Sequence, residues 1–296
     1  MPTNRLLPDP NRQLRRHITL GQDEKPYPLF LYKYRTGNES FLDRIIVHSE
    51  LYLSRRDDFN DPFDTRCEIT YGGSGPEKRS RFQSVVAGQN IPMKRRAELW
   101  SHLLDDVKGK KLAQSSFDHV ADSTGIHSLT KTPRSLLMWA HYGAEHKGIC
   151  LQFYIPADFE RFREALPVAY SGDFTSLNWL SDMDTGEAAL RAFITKSTEW
   201  KYEEEYRLLQ RLRARSSVDF LPGALVGVIY GARCPDETVK HVHGLIERRV
   251  ASGKPRLFEW QARLSPRYFG VGIFSKGARV PPKWEGRPST RSESAE

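Results

Sequence analysis

The stretch from His127 to Ile155 constrains the fold most, because it predicts a strand, a helix and a second strand in quick succession. Thr132-Pro133 predicts the start of the helix, since a threonine can cap free backbone N–H groups and a proline in the first helical position loses no bond. Three large side chains then recur at helical spacing on one side: Leu136, Trp139 and Tyr142. Ile149–Tyr154 follows as a largely buried strand. We expect part of any active site to lie in this stretch.

The rest of the chain adds strands and a helical insert. Phe30–Arg35 and Leu225–Gly231 have the composition of strands, and the residues from about 77 to 121 are helical and charged. We therefore predict an α+β fold with a mixed, mostly antiparallel sheet around a central cleft. The predicted organisation is a flexible arm over 1–28, one domain over 29–275 and a disordered tail over 281–296.

Composition excludes several classes of protein. The 296-residue chain has no apolar run near the roughly 20 residues that cross a bilayer, and its first residues lack the apolar core of a signal peptide. Its three cysteines lie far apart, which disfavours a disulfide framework or a structural zinc site. We therefore expect a cytoplasmic protein without a membrane partner.

The charge balance points toward phosphate. The formal net charge is +8, with 45 basic and 37 acidic residues. An excess of this sign suits a phosphate-bearing partner, either a nucleotide or a nucleic acid. Nucleic acid is therefore a possible partner.

Two acidic motifs could carry chemistry. Phe59–Asp64 reads FNDPFD, which is either a rigid turn clamped between phenylalanines or a loop that presents Asp61 or Asp64 to a pocket. In an extended chain Glu203, Glu205 and Arg207 would share one face. As a surface row they would pair off for about 0–1 kcal/mol, whereas in a cleft they could bind ribose hydroxyls or stabilise a cationic transition state.

The common motifs of nucleotide hydrolysis and serine or metal hydrolysis are missing from the sequence. It contains no P-loop, dinucleotide glycine fingerprint, HExxH or GxSxG.

Four motifs in a fixed order resemble a bacterial family known as domain of unknown function 2971. The motifs are Leu31–Arg35, Phe59–Asp64, Met138–Tyr142 with His146–Gly148, and Trp200–Arg207. The resemblance covers roughly residues 30 to 235. It implies no catalytic residues.

A second pattern resembles mono-ADP-ribosyltransferases of the arginine-serine-glutamate type. These enzymes place an Arg on an early strand, a Ser-x-Thr or Ser-x-Ser on a middle strand and a Glu-x-Glu near a later strand. Here Arg35, Ser128-Leu129-Thr130 and Glu203-Glu204-Glu205 follow in that order.

This resemblance implies a sheet around a cleft that takes NAD as substrate. Arg35 would hold the pyrophosphate and Ser128 would orient the nicotinamide-side ribose. Glu205 would stabilise the oxocarbenium-like charge, and Glu203 would orient the acceptor. We add Tyr34, Thr130 and Tyr142 to the NAD-binding set and His141 to the catalytic set. His141 and Tyr142 have no place in the transferase pattern, and they could line the pocket or pin the helix to the sheet.

The expected function is thus an NAD-dependent ADP-ribosyltransferase-like enzyme, such as a toxin or phage-defence effector, acting on a nucleic acid or a protein. Two other functions stay open. Asp61, Asp64, Glu203 and Glu205 could gather a metal ion in a nuclease-type protein. Alternatively, a non-catalytic module could use an aromatic recognition pocket made of Trp139, His141, Tyr142, Trp200 and Tyr202.

Overall fold

The computed structural model describes residues 17–18, 27–181 and 185–277. Its strands, numbered in chain order, are β1 His17–Ile18, β2 Tyr27–Pro28, β3 Phe30–Arg35, β4 Glu50–Leu53, β5 Cys67–Thr70, β6 Gly125–Thr130, β7 Ile149–Tyr154, β8 Ala165–Pro167, β9 Ala169–Ser171, β10 Thr175–Asn178, β11 Thr195–Ser197, β12 Glu205–Gln210, β13 Ser216–Asp219, β14 Leu225–Tyr230, β15 Phe258–Leu264 and β16 Val271–Ser275.

The helices are α1 Gly75–Val86, α2 Met93–Leu104, α3 Asp106–Ser123, α4 Leu136–His141, α5 Phe159–Phe162, α6 Thr185–Phe193 and α7 Asp236–Ala251. A π-helical turn covers Arg44–His48, and short 3-10 turns cover Arg56–Asp58, Ile155–Asp158, Thr198–Glu203 and Pro222–Ala224. Helices and mostly antiparallel strands occur together, so the predicted α+β class is confirmed. No helix among these residues is long and apolar enough to cross a bilayer.

The chain divides into two compact units, each assembled from separate stretches. Unit 1 consists of 1–49, 132–158 and 221–296, and unit 2 consists of 50–131 and 159–220. The single domain expected over 29–275 stays a prediction. The tail predicted over 281–296 and most of the arm predicted over 1–28 lie outside the described residues, although β1 pairs with β2 in antiparallel fashion.

Unit 1 is built around β7. Strands β16, β15, β14, β7 and β3 are neighbours in that order, and only the β14–β15 pair among them is parallel. Residues 149–153 are buried, as expected of an apolar strand covered on both faces. α4 precedes β7 in the chain. Its Trp139 ring packs edge-on against the Tyr34 ring, with ring centres 4.9 Å apart.

The start of α4 differs from the sequence prediction, which placed it at Thr132-Pro133. The helix begins at Leu136, and the Ser135 hydroxyl caps it by accepting the backbone N–H of Met138 at 3.2 Å. The Pro133 carbonyl instead accepts the indole N–H of Trp139 at 2.9 Å. The prediction was wrong because a serine two residues after the proline offers an equally good cap and leaves Pro133 free for a tertiary bond.

Unit 2 joins a helical layer to short sheets. β12 pairs antiparallel with both β6 and β8, and the two-stranded pairs are β4 with β13, β5 with β10 and β9 with β11. The helical insert predicted for about 77–121 is confirmed as α1, α2 and most of α3. Its apolar side chains pack with β5, β10 and α6, and the core includes Leu103, Phe117, Leu177, Trp179 and Phe193.

Candidate functional site

The pairing of β6 with β12 brings two of the predicted motifs side by side. In the antiparallel ladder Thr130 lies opposite Glu205, and Ser128 lies opposite Arg207. The Ser128 side chain hydrogen-bonds the Glu205 carboxylate. The Thr130 hydroxyl donates to the backbone carbonyl of Glu203 at 2.5 Å. Ser128, Thr130, Glu203 and Glu205 therefore form one cluster in unit 2.

Glu203 reaches this cluster by a route that the sequence reading missed. It ends the 3-10 turn Thr198–Glu203, and Glu204 then takes a left-handed conformation with a φ of 44° before β12 begins. The extended row predicted for Glu203, Glu205 and Arg207 was therefore wrong at Glu203. The chain is not extended at Glu203, and a non-glycine residue in the left-handed conformation that follows gives no signal in the sequence.

The five N–H donors of Arg207 are all used. Its guanidinium forms paired bonds to Asp64 (Nη1–Oδ1 2.7 Å, Nη2–Oδ2 2.6 Å) and to Glu205 (Nε–Oε1 2.8 Å, Nη2–Oε2 3.0 Å). The remaining donor reaches the Phe193 carbonyl at 2.8 Å. Arg207 is fully buried, so complete pairing is what makes its burial tolerable.

Lys196 supplies the second buried cation. Its Nζ lies 2.6 Å from Glu203 Oε2, 3.6 Å from Glu205 Oε2 and 3.8 Å from Asp64 Oδ2. The ammonium also lies 4.7 Å from the ring centre of Trp200, a cation–π distance. We call Asp64, Lys196, Glu203, Glu205 and Arg207 the ion-pair network; each of them is less than 10% exposed. It holds three carboxylates against two cations.

The network keeps Glu205 ionised. Burial by itself raises the pKa of this carboxyl, but the charge and hydrogen bonds of Arg207, the charge of Lys196 and the bond from Ser128 outweigh burial and lower the pKa to about 2. Burial lowers the pKa of Arg207, but the carboxylates of Glu205 and Asp64 outweigh burial and raise this pKa above its ordinary value. The Tyr170 hydroxyl accepts the Glu205 backbone N–H at 2.8 Å and fixes the start of β12.

The FNDPFD turn serves both of the roles considered for it. It is structural, since Asp64 holds Arg207 and Asp61 Oδ1 accepts the Phe63 backbone N–H at 2.9 Å. It also lines a cavity of about 650 Å³, which we call the polar cavity. The Phe59 ring, which lines the same cavity, lies 5.6 Å from the Arg207 guanidinium. The other polar side chains of its wall include Asn60, Asp61, Arg66 and Gln114.

The carboxylates of the network gather around cations. No group of three or more His, Cys, Asp or Glu side chains in the described part of the chain is arranged to hold a metal ion. Arg207 bridges Asp64 and Glu205, and Lys196 meets Glu203. The geometry therefore does not favour the nuclease-type alternative.

The other predicted site residues belong to unit 1. The Tyr34 hydroxyl donates to the Thr132 carbonyl at 3.1 Å. Arg35 makes no ion pair with any described residue, and its guanidinium lies 5.3 Å from the Phe41 ring centre. Burial lowers the pKa of Arg35, against the opposing charge of Glu39. A half-buried arginine without an ion pair to a described residue can bind an anion.

His141 and Tyr142 close α4, with ring centres 6.5 Å apart, and His141 is exposed. Their predicted roles, and that of Arg35, stay predictions. Trp139, proposed for an aromatic recognition pocket, is fully buried and serves the core of unit 1.

Sequence reasoning missed Lys196 and Tyr170. A single lysine within Thr195–Ser197 carries no mark of burial, because lysines are almost never fully buried unless paired. The only available signal was the excess of acidic residues in Glu203–Glu205, which calls for cations if they are buried.

Comparison with known proteins gives one match. A family model described as "Protein of unknown function (DUF2971)" matches residues 138–208, which run from α4 to β12. This chain is similar to that family over the segment that holds Lys196, Glu203, Glu205 and Arg207. No curated protein and no solved structure matches the chain.

Proposed function

We propose that the protein is an NAD-using enzyme of the ADP-ribosyltransferase kind, with Glu205 as its central carboxylate. The observation that carries the proposal is the placement of Ser128-Leu129-Thr130 directly beside Glu205 on the neighbouring strand, with the Ser128 side chain bonded to the carboxylate. The composition of the chain does not by itself predict that these two short motifs, which lie far apart in the sequence, become neighbours.

Glu205 has the charge that the chemistry needs. In the proposed reaction the bond between nicotinamide and ribose C1′ breaks, and the bonding pair leaves with nicotinamide. The acceptor nucleophile then bonds C1′ and gives up a proton. The ribose passes through a cationic state, which an ionised carboxylate stabilises. With a pKa of about 2, Glu205 is ionised at any physiological pH.

Arg207 orients the Glu205 carboxylate and also restricts the hydrogen bonds that this carboxylate can offer a ligand. Each Glu205 oxygen is bonded to Arg207, so a ribose hydroxyl would use a remaining lone pair of that carboxylate or exchange with one of these bonds. Asp64 supports such an exchange, because it holds Arg207 by two further bonds and would keep the guanidinium in place. Glu203 orients the acceptor in this proposal, with Lys196 as its counter-ion.

The polar cavity offers space for a ligand within unit 2. Its volume of about 650 Å³ lies inside the range of roughly 300–1,000 Å³ that is usual for small-molecule sites. Arg56 and Arg66 supply cations for phosphate and Phe59 supplies an aromatic face, in a wall that also carries the carboxylates of Asp57, Asp61, Asp64 and Asp118. Asp64, which lines the cavity, connects it to Arg207 and Glu205. A nucleic acid or a protein would be the acceptor, as in a toxin or phage-defence effector.

Release of nicotinamide tests the proposal. Purified protein is incubated with NAD labelled in the nicotinamide ring, with and without total cell extract, and free nicotinamide is measured. Glu205→Gln removes the charge and is expected to lower the rate at least about 100-fold. Glu204→Gln is the matched control, because Glu204 is a half-buried neighbour whose carboxylate pairs with the exposed Lys131, and it is expected to keep the wild-type rate.

No nicotinamide from the wild-type protein under any of these conditions would overturn the proposal. Equal rates for wild type and Glu205→Gln would overturn the role of Glu205. Thermal melting of both variants shows whether a lost rate reflects lost folding.

A further inference from the structure

The helical layer of unit 2 contains a second cavity of different character, which we call the apolar cavity. Its volume is about 560 Å³, within the range of small-molecule sites. Its wall is formed by α3, β10, α6 and the end of β12. The principal apolar side chains of the wall are Phe117, Val120, Leu177, Trp179, Phe193 and Leu209.

The hydroxyl groups in the wall are already used. The Ser116 hydroxyl donates to the Leu112 carbonyl at 2.9 Å within α3, and the hydroxyl of Thr124, the residue that follows α3, donates to the Val120 carbonyl at 2.7 Å. They offer little to a polar ligand. An apolar wall of this kind binds water poorly and favours an apolar occupant.

Arg211 gives the cavity one charge. It is exposed at the end of β12, lines the cavity and forms neither an ion pair nor a hydrogen bond with any described residue. A guanidinium in this position is suited to a carboxylate, which it can bind through two parallel bonds.

We propose that the apolar cavity binds a single-chain carboxylic acid of medium length, with its hydrocarbon in the cavity and its carboxylate on Arg211. The apolar wall selects the chain, and Arg211, which is unpaired among the described residues, selects a single anionic head. A cavity of small-molecule size favours one free chain over the two chains of a membrane phospholipid. This site is separate from Glu205 and does not depend on the proposed transferase activity.

Calorimetric titration of the full chain with decanoate tests the proposal. Saturable one-to-one binding is expected. Arg211→Gln is expected to weaken it about tenfold, while Arg213→Gln leaves it unchanged, because Arg213 bonds the Ser217 carbonyl on the surface and does not line the cavity. Decanol, which has the same chain without the charge, should bind more weakly than decanoate and should respond equally little to both arginine changes.

A cavity-filling variant tests the chain separately. Leu190 lines the cavity from α6, and Leu190→Phe is expected to reduce decanoate binding at least tenfold. Thermal melting confirms that this variant folds; if it does not, the arginine and decanol comparisons decide the matter alone. The absence of saturable decanoate binding, or equal binding by wild type and Arg211→Gln, would overturn the proposal. Binding only to phosphatidylglycerol vesicles would also overturn it.

Discussion

At the scale of the residue, Arg207 decides how unit 2 tolerates its buried charges. Two carboxylates accept four of its five N–H bonds and the Phe193 carbonyl accepts the fifth, while Lys196 meets the third carboxylate. A buried ion pair is weak evidence for stability against an apolar replacement, but removal of one partner leaves the other charged and unpaired in a poorly polarisable interior. Removal of any one member of the ion-pair network is therefore expected to lower the free energy of unfolding.

Arg207→Met is expected to destabilise the protein by about 3–5 kcal/mol, because Asp64 and Glu205 lose their common partner. Urea unfolding followed by circular dichroism gives the free energy of unfolding. Arg211→Met makes the same change four residues away at an exposed site, and it should alter that free energy by less than about 0.5 kcal/mol. Equal effects of the two changes would show that the network does not hold Arg207 as described.

The stability of the protein should depend on pH through Glu205. Its pKa is about 2 in the folded protein and near 4.5 in the unfolded chain, so the unfolded chain takes up the proton first. The contribution is therefore complete above about pH 4.5 and is lost as the pH falls toward 2. It amounts to something on the order of 3 kcal/mol. The free energy of unfolding measured between pH 6 and 2 should fall less steeply for Glu205→Gln than for wild type, and parallel curves would contradict the assignment.

At the scale of the element, the turn after α4 shows how one short segment holds two strands in position. Ala144, Glu145 and His146 have φ values of 46°, 57° and 68°, a run of left-handed residues that is unusual without glycine. Backbone hydrogen bonds nevertheless hold the turn, with Glu145 N–H donating to the Ala140 carbonyl at 3.2 Å and His146 N–H to the Trp139 carbonyl at 3.0 Å. Gly231 allows the His146 carbonyl to approach, where any Cβ would collide with it.

An alanine-to-glycine substitution should have opposite effects in this turn and in the preceding helix α4. Ala144→Gly relieves a left-handed alanine and is expected to stabilise the protein by about 1 kcal/mol. Ala140→Gly lies within α4 and is expected to destabilise it by about 0.5–1 kcal/mol. Urea unfolding of both variants checks the signs. A destabilising Ala144→Gly would mean that the alanine is not strained.

These elements also show what the sequence could predict. The composition of Phe30–Arg35 and Ile149–Tyr154 was sufficient for β3 and β7, because short runs of aromatic and apolar residues are typical of buried strands. The start of α4 at Leu136 and the turn before Glu205 were not predictable, since they depend on a choice between equivalent caps and on a left-handed glutamate. β10 carries no apolar run that would mark it in the sequence, and its four residues pair only with the distant β5.

The candidate site was likewise predictable only where its residues form a local motif. Ser128 and Glu205 were recognisable as motifs, but the link from Glu205 through Arg207 to Asp64 joins residues far apart in the chain. No local pattern records such a contact.

At the scale of the whole molecule, the net charge of +8 is the property that bears most directly on partners. The ion-pair network contributes three negative and two positive charges to this total, so the basic excess comes from elsewhere in the chain. On α3, Lys110 and Lys111 are exposed. Exposed basic groups of this kind attract a polyanion without reading its sequence.

We therefore expect weak, sequence-independent binding of single-stranded RNA and DNA that depends strongly on salt. Release of counterions from the nucleic acid should lower the affinity at least about tenfold between roughly 50 and 200 mM salt. Fluorescence anisotropy with labelled oligonucleotides gives the slope of log K against log salt concentration. Changing Lys110 and Lys111 together to Gln should reduce this slope by up to about 2 if α3 contacts phosphates, whereas Glu204→Gln should leave it unchanged. Failure to bind either nucleic acid at low salt, or affinity that does not respond to salt, would remove nucleic acid from the possible acceptors and leave a protein acceptor for the proposed transferase.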